Sequence, residues 1–362
     1  MMKSKKVLSA LVLSSVMLIG SSMPVFAQNT DVGGILQGGT ENNPVKLDIQ
    51  KNFEFSEGLE IPAVTFNFKA TALTTGAPNA TIEAITYTKA DDKGQVVGGK
   101  HTVSKTAKLT FEGDFPHAGV YEYLVEETKG TETGVAYDNK KYKIEVHVAN
   151  KATADGGTYV KAIVSKDNNT QEKKPIEFVN TYAKEAALSI EKQVTGELAD
   201  LTKQFEFKLT LKKSPSSTTT NFTGKIVRKN GSQESIEFTD NVAKTIKLAH
   251  GDKLQFDTLP VGTRYVATEV GVQGDGYTPK VTVTENGVQG QVQQGNEKDD
   301  LNSSKDTNLV GEKDNKVIFI NDYHEVSITG IIENNLPFIL MISLSGIGLG
   351  GLAVAKKYKL AK

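Results

Sequence analysis

The hydrophobic pattern of the chain is mostly that of short β-strands. Runs such as 64–68, 142–148, 205–211 and 281–283 alternate apolar and polar residues and are rich in β-branched and aromatic side chains. Clusters of Gly, Asn and Asp separate these runs at turn spacing. No long helical period occurs between the two ends of the chain. The pattern therefore predicts an all-β protein built from β-sandwiches.

The strand pattern also repeats along the chain, with an offset of about 140 residues. The strand around Phe66 and Phe68 is echoed around Phe205 and Phe207. Residues 28–324 give a length of about 300, enough for two domains of about 100 to 200 each. The repeat predicts tandem domains at 41–183 and 184–324, which follow each other closely and so have limited hinge freedom. Between 296 and 308 the chain is polar and charged, which predicts a flexible loop.

The amino-terminal end has the features of an export signal. Three lysines precede an uncharged, mostly apolar run at 7–20, and small residues end in Ala27. We expect residues 1–27 to be a signal peptide that is cleaved between Ala27 and Gln28. Residues 28–40, rich in Gly and polar side chains, are expected to form a flexible segment.

The carboxyl-terminal end combines a short motif with an apolar span. Residues 338–355 carry no charge and are followed by lysines, which is about the minimum for a transmembrane helix with a cytoplasmic tail. The motif VSITG ends in Thr329 and Gly330 and resembles the LPxTG sorting signal of Gram-positive surface proteins. We expect a sorting motif at 325–330 and a spacer, transmembrane segment and basic tail at 331–362. An ordinary single-pass anchor is the alternative.

The amino-acid composition limits the partners, metal sites and cross-links that the chain can have. The formal net charge is -1, so nothing calls for a nucleic-acid partner. The chain has no cysteine, so an exported form cannot carry disulfides or a Cys-ligated zinc, and any cross-link must use other side chains. The histidines form no metal-ligand spacing, and no phosphate loop or Ser/His/Asp set can be discerned. We therefore expect no cofactor, no metal and no ordinary enzyme activity.

Two sets of polar residues recur at matched spacing. Both Lys-to-Asn separations are 129 residues, and strand alternation turns every member toward an apolar face. Six such groups are not what a sandwich core normally contains. The two sets are Lys51, Glu127 and Asn180, and Lys192, Glu269 and Asn321.

Two interpretations of these sets are open. Lys and Glu could form a buried ion pair with Asn as a hydrogen-bond partner. Alternatively, burial favours a neutral amine and a neutral acid, and the amine attacks the Asn side-chain carbonyl. In that case Glu127 or Glu269 would hydrogen-bond the amide oxygen and shuttle protons, ammonia would leave, and an isopeptide bond would remain. Fixed proximity in the core would supply much of the rate.

The two sets, their strand contexts and the terminal VSITG resemble streptococcal T-antigen-type backbone pilins over essentially all of the mature chain. The resemblance implies two immunoglobulin-like domains of the CnaB type, each with a Lys–Asn isopeptide bond. It also implies an intersubunit lysine shortly before the last strand of the first domain. Lys173 has the matching position, and Lys174 is the second choice. A sortase would join this amine to Thr329 of another subunit.

This resemblance implies a structural shaft subunit of a covalent pilus at the cell surface, anchored in the cell wall. The expected partners are a pilus-specific sortase, other copies of the chain, accessory pilins and peptidoglycan, with transient membrane insertion before sorting. A monomeric wall-anchored adhesin built on the same stalk domains is the alternative function.

Overall fold

The computed structural model describes residues 34–153, 156–271, 276–304 and 306–324, and all regular elements in these ranges are β-strands. The all-β class and the tandem β domains predicted from the sequence are confirmed. The signal peptide, the sorting motif with Thr329 and Gly330, and the apolar span at 338–355 lie outside the described residues.

Among the described residues, none belongs to a helix long and apolar enough to cross a membrane.

The first domain contains eleven strands in an antiparallel arrangement with one parallel pair. Their bounds are β1 Ile35–Gln37, β2 Leu47–Ser56, β3 Val64–Ala72, β4 Ala80–Ile82, β5 Ile85–Tyr87, β6 Lys100–Phe111, β7 Gly119–Thr128, β8 Val135–Ala136, β9 Lys141–Asn150, β10 Thr158–Asp167 and β11 Glu177–Tyr182. One layer has the order β1-β10-β9-β7-β3, and the other has the order β6-β2-β11-β8. The short strand β4 pairs with both β3 and β6 and joins the layers at one edge.

The second domain contains thirteen strands in two separate sheets. Their bounds are β12 Glu185–Thr195, β13 Phe205–Lys212, β14 Asn221–Val227, β15 Gln233–Thr239, β16 Lys244–Leu248, β17 Lys253–Pro260, β18 Arg264–Glu269, β19 Tyr277–Glu285, β20 Val288–Gln289, β21 Gln293–Gln294, β22 Leu301–Asn302, β23 Asn308–Leu309 and β24 Lys316–Tyr323. One sheet has the order β15-β14-β17-β12-β24-β19-β20 and the other has the order β16-β13-β18-β22.

The first long strand and the last strand of each domain are parallel neighbours. In the first domain β2 pairs with β11, and Lys51 lies opposite Phe178. In the second domain β12 pairs with β24, and Lys192 lies opposite Phe319. The two registers are equivalent, because each phenylalanine comes two residues before the asparagine of the set. The sequence repeat is thus a structural repeat at the level of individual residues.

Alternation along the strands produces the core of each domain. Strand β7 buries every second residue from Tyr121 to Glu127, and β11 does the same with Phe178, Asn180 and Tyr182. Aromatic and aliphatic side chains from the two layers fill the space between the sheets. Burial of this apolar surface stabilises the fold at about 25 cal/mol per Å², and it also encloses the polar sets.

Two segments expected to be flexible carry strands instead. Part of the 28–40 segment forms β1, which pairs with β10 and buries Leu36. In the 296–308 segment, β22 and β23 pair with β18, and Leu301 is buried. A single apolar anchor and a free sheet edge suffice for such short pairings, although the surrounding sequence is polar. The first sheet therefore begins before residue 41.

The two domains contact each other directly. Arg264 donates to the carboxylate of Glu57, and the hydroxyl groups of Ser56 and Ser214 are 2.8 Å apart. Gly262 has φ 92° and lies so close to this pair that a Cβ would come within 2.7 Å of each serine. Glycine is required there both by the backbone conformation and by the space. The close packing agrees with the limited hinge freedom expected from the short boundary.

Candidate functional site: a buried Lys–Glu–Asn set in each domain

In the first domain, the three residues predicted from spacing meet in the core. Lys51 and Asn180 come from the parallel neighbours β2 and β11, and Glu127 comes from β7 in the opposite layer. Lys51 Nζ donates to Asn180 Oδ1 and lies 2.9 Å from Glu127 Oε2. Asn180 Nδ2 donates to Glu127 Oε1 at 2.6 Å. The carboxylate therefore bridges the amine and the amide nitrogen.

The surroundings of the first set favour an uncharged lysine. Lys51 and Asn180 are fully buried, and so is the Glu127 side chain. Burial lowers the pKa of Lys51, although the contact with Glu127 opposes this shift. The ring of Phe66 lies with its centroid 4.3 Å from Lys51 Nζ and helps to exclude water. An amine with a lowered pKa is more often neutral and therefore more often a nucleophile.

The second domain repeats the set with small differences. Lys192 Nζ lies 3.0 Å from Glu269 Oε1, and Asn321 Nδ2 donates to the same oxygen at 2.7 Å. Burial lowers the pKa of Lys192 to about 8, and burial raises the pKa of Glu269. Both shifts move the pair toward its neutral forms. Unlike Lys51, Lys192 Nζ has no hydrogen-bond partner among the described residues, because it makes no hydrogen bond to Glu269 or to the Asn321 amide oxygen.

One detail of the sequence interpretation differs from the structure. The glutamate was expected to hydrogen-bond the amide oxygen of asparagine. In both domains the carboxylate instead accepts a hydrogen bond from the amide nitrogen, Asn180 Nδ2 or Asn321 Nδ2. In the first domain the reason is geometric, because Asn180 Oδ1 faces two donors, Lys51 Nζ and the Asp138 backbone N–H. Reversing the amide would place its NH₂ group against these donors.

Sequence reasoning missed Asp138. This residue follows the two-residue strand β8, and its backbone N–H lies 3.2 Å from Asn180 Oδ1. No periodic pattern marks the position, because Asp138 acts through its main chain from a connecting segment. By contrast, Glu126, the neighbour of Glu127, lies on the opposite face of β7 by strand alternation, and it forms an ion pair with Lys141 at 2.6 Å.

The two candidate intersubunit lysines differ in their surroundings. Lys173 is exposed, and its backbone forms an isolated bridge with Lys166. Lys174 is half-buried and forms an ion pair with Asp167 at 2.9 Å, which raises the pKa of Lys174. Within the described ranges, no group of three or more His, Asp or Glu residues could hold a metal ion.

Family comparisons match each domain separately. Residues 47–183 match the family described as "Spy0128-like isopeptide containing domain". Residues 186–323 match a family described as "Domain of unknown function (DUF7601)". These bounds enclose the first and the second Lys–Glu–Asn set respectively.

Comparison over the whole chain gives related proteins from one organism. A pilin of Streptococcus pyogenes serotype M1 is 28% identical over 356 residues, which cover 94% of this chain and 96% of the relative. The solved major pilin of Streptococcus pyogenes is 26% identical, with 78% of this chain and 99% of that chain covered and a TM-score of 0.37. The major pilin T3.2 of the same species is 27% identical, with coverage of 80% and 100% and a TM-score of 0.36.

The fold and the buried sets define a tandem β-sandwich protein with one Lys–Glu–Asn set in each core. The sequence matches then support a streptococcal pilin-type subunit, and the resemblance inferred from the sequence is confirmed. This assignment depends on the sequence match over nearly the full chain, and not on the structural superposition.

Proposed function

We propose that the chain is the shaft subunit of a covalent cell-surface pilus, and that each domain closes its own Lys–Asn isopeptide bond. The observation that carries this proposal is the direct contact between Lys51 Nζ and the Asn180 amide, with Glu127 bridging both nitrogens. A buried ion pair with Asn180 as its hydrogen-bond partner would have the same contacts, but burial disfavours the charged amine that such a pair requires. The repeat of the set at equivalent registers supports the same role for Lys192, Glu269 and Asn321.

The geometry supports a balanced reaction at the first set. The neutral Lys51 amine attacks the Asn180 side-chain carbonyl carbon, and the carbonyl electron pair moves to Oδ1. Glu127 takes one proton from Nζ at Oε2 and delivers one proton to Nδ2 from Oε1, so it ends in the protonation state in which it began. The C–Nδ2 bond then breaks, ammonia leaves, and an amide joins the two side chains. The protein performs this step once, so it is not an enzyme in the ordinary sense.

The proposal extends to assembly between subunits. A pilus-specific sortase would cleave between Thr329 and Gly330 and pass the Thr329 carbonyl to a lysine amine of another copy. The exposure of Lys173 supports this residue as the acceptor, since Lys174 is tied to Asp167 and has a raised pKa. Export, cleavage after Ala27, accessory pilins and anchoring to peptidoglycan belong to the same proposal.

Intact mass tests the cross-links. Fragment 29–324, which contains all described residues, should weigh less than its sequence by the mass of two ammonia molecules. Glu127→Ala and Glu269→Ala should each prevent one bond and so restore the mass of one ammonia molecule. The matched control is Glu126→Ala, which removes the neighbouring outward carboxylate and should restore none. Wild-type protein at full sequence mass would refute the cross-links.

Covalent polymers test the shaft role. In the bacterium that carries this chain, cell-wall extracts on denaturing gels should show a ladder of multimers. Lys173→Ala should abolish the ladder, and Lys174→Ala should leave it intact. A single wall-linked species in the wild type would instead favour the monomeric adhesin.

A further inference from the structure

The amide oxygen of Asn180 has a main-chain hydrogen-bond donor in addition to Lys51. The Asp138 backbone N–H donates to Oδ1 at 3.2 Å. Asp138 follows strand β8, which pairs with β11 opposite Thr181 and Tyr182. Beyond this two-residue pairing the chain is no longer a strand, but Asp138 still lies beside β11, next to the Asn180 amide. The donor is therefore supplied by the segment that ends the β8–β11 pairing.

The Asp138 side chain fixes the position of this donor. Its Oδ2 accepts a hydrogen bond from the Val179 backbone N–H at 2.7 Å, and its Oδ1 accepts one from the Lys140 backbone N–H at 2.9 Å. The side chain is only 6% exposed. The carboxylate thus accepts a hydrogen bond from the backbone N–H of Val179, a position of β11 that β8 does not pair. It also holds the Asp138 main chain next to the strand that carries Asn180.

Negative charge develops on Oδ1 when the amine adds to the carbonyl carbon. Because Glu127 contacts Nδ2, its carboxylate is not placed to stabilise that charge. A fixed backbone N–H aimed at such an oxygen acts as an oxyanion donor. We propose that the Asp138 N–H stabilises the tetrahedral intermediate of Lys51–Asn180 bond formation, and that the Asp138 carboxylate is the positioning group for this donor. This inference rests on the proposed isopeptide reaction.

The second domain provides an internal reference. Asn321 Oδ1 has no hydrogen-bond partner among the described residues. There, β24 is paired along its length by β19, and Asn321 lies opposite Pro279. A change at Asp138 should therefore alter the first bond and leave the second unchanged within the same molecule.

The sharpest test removes only the N–H. Replacing Asp138 by its α-hydroxy analogue turns the Tyr137–Asp138 linkage into an ester, which keeps the carboxylate. Fragment 29–324 would be made by cell-free synthesis and sampled over time, and the branched peptide from each site would be quantified by mass spectrometry. Loss of one oxyanion donor should slow the first bond by about 10²- to 10³-fold. The rate of the second bond should not change.

Side-chain variants test the positioning role. Asp138→Ala should slow the first bond by at least about tenfold, since the donor is no longer held against β11. Asp138→Asn should keep the rate within about threefold, because an amide oxygen still accepts a hydrogen bond from Val179 N–H. The control is Lys141→Ala, which removes a nearby lysine side chain that pairs with Glu126 at 2.6 Å instead of with Asp138, and it should leave the rate unchanged. Limited proteolysis of the same samples reports when folding is complete, which separates a folding delay from slower chemistry.

The outcomes are distinct. No branched peptide at either site of the wild type would refute the isopeptide reaction itself, and this inference with it. Branched peptides in the wild type together with an unchanged first-site rate in the ester variant would overturn the oxyanion role alone. Equal slowing of both sites would also contradict it, because the second site has no contact with Asp138.

Discussion

Preventing the proposed Lys51–Asn180 bond should change how far the first domain stretches under force. Lys51 and Asn180 lie on adjacent parallel strands, so tension that enters along β2 can leave along β11 through the bond. Their separation of 129 leaves 128 residues between them that would carry no load. Glu127→Ala should prevent the bond and expose those residues to the pulling force.

The expected length follows from the chain itself. At about 3.3 to 3.6 Å per extended residue, 128 residues add about 420 to 460 Å of contour length. The second set has the same separation, so Glu269→Ala should add an extension of the same size. The double variant should show two such events, and the wild type none.

Single-molecule force spectroscopy of fragment 29–324, held by handles at both ends, measures this directly. Glu126→Ala is the matched control, because it removes the adjacent carboxylate from the outer face and should behave like the wild type. Asn180→Ala should show the same added extension as Glu127→Ala. It keeps the Lys51–Glu127 pair, so the comparison excludes an effect of leaving the buried lysine unpaired. An extension of about 420 to 460 Å in the wild type would refute the load-bypass reasoning.

Other perturbations should have separable effects. In Asn321→Ala the Lys192 amine can still titrate, with its pKa lowered from 10.5 to about 8 in the folded state. The unfolded chain then binds more protons between these values, so urea unfolding should show stability rising with pH across that window, a contribution that a wild type with the proposed cross-link would lack. The raised pKa of Glu269 has the opposite sign, and stability should fall as pH rises just above 4.5. Gly262→Ala should lower the thermal midpoint of the second domain more than Gly231→Ala. Both have positive φ, which costs about 1 to 3 kcal/mol for a side chain, but only Gly262 would also clash, with Ser56 and Ser214. Equal decreases in the thermal midpoint for the two variants would show that the domains are not closely packed at Gly262.

Much of the site could be predicted from the sequence because strand alternation has a strict period. Lys51 and Asn180 share faces with apolar neighbours, and a period of two leaves only one side for them to occupy. The same alternation predicted the longer strands of both domains. Short edge strands such as β1 escaped prediction, since a pairing of three residues depends on a free neighbouring edge and leaves almost no pattern. Asp138 was not predicted because a backbone donor leaves no side-chain signature, and the orientation of the Asn180 amide depends in part on that donor.

The pairing of the first and last strands has a topological consequence. If both proposed bonds close, the backbone from 51 to 180 becomes a covalent ring, and the backbone from 192 to 321 becomes another. A protease that cuts one exposed loop within a ring, for example near Gly130, opens the ring without releasing a fragment. The nicked protein would still migrate as one molecule on a denaturing gel. Releasing a piece of a ring requires two cuts in that ring, whereas one cut in the short segment 181–191, where strands β11 and β12 follow each other almost directly, separates the two domains.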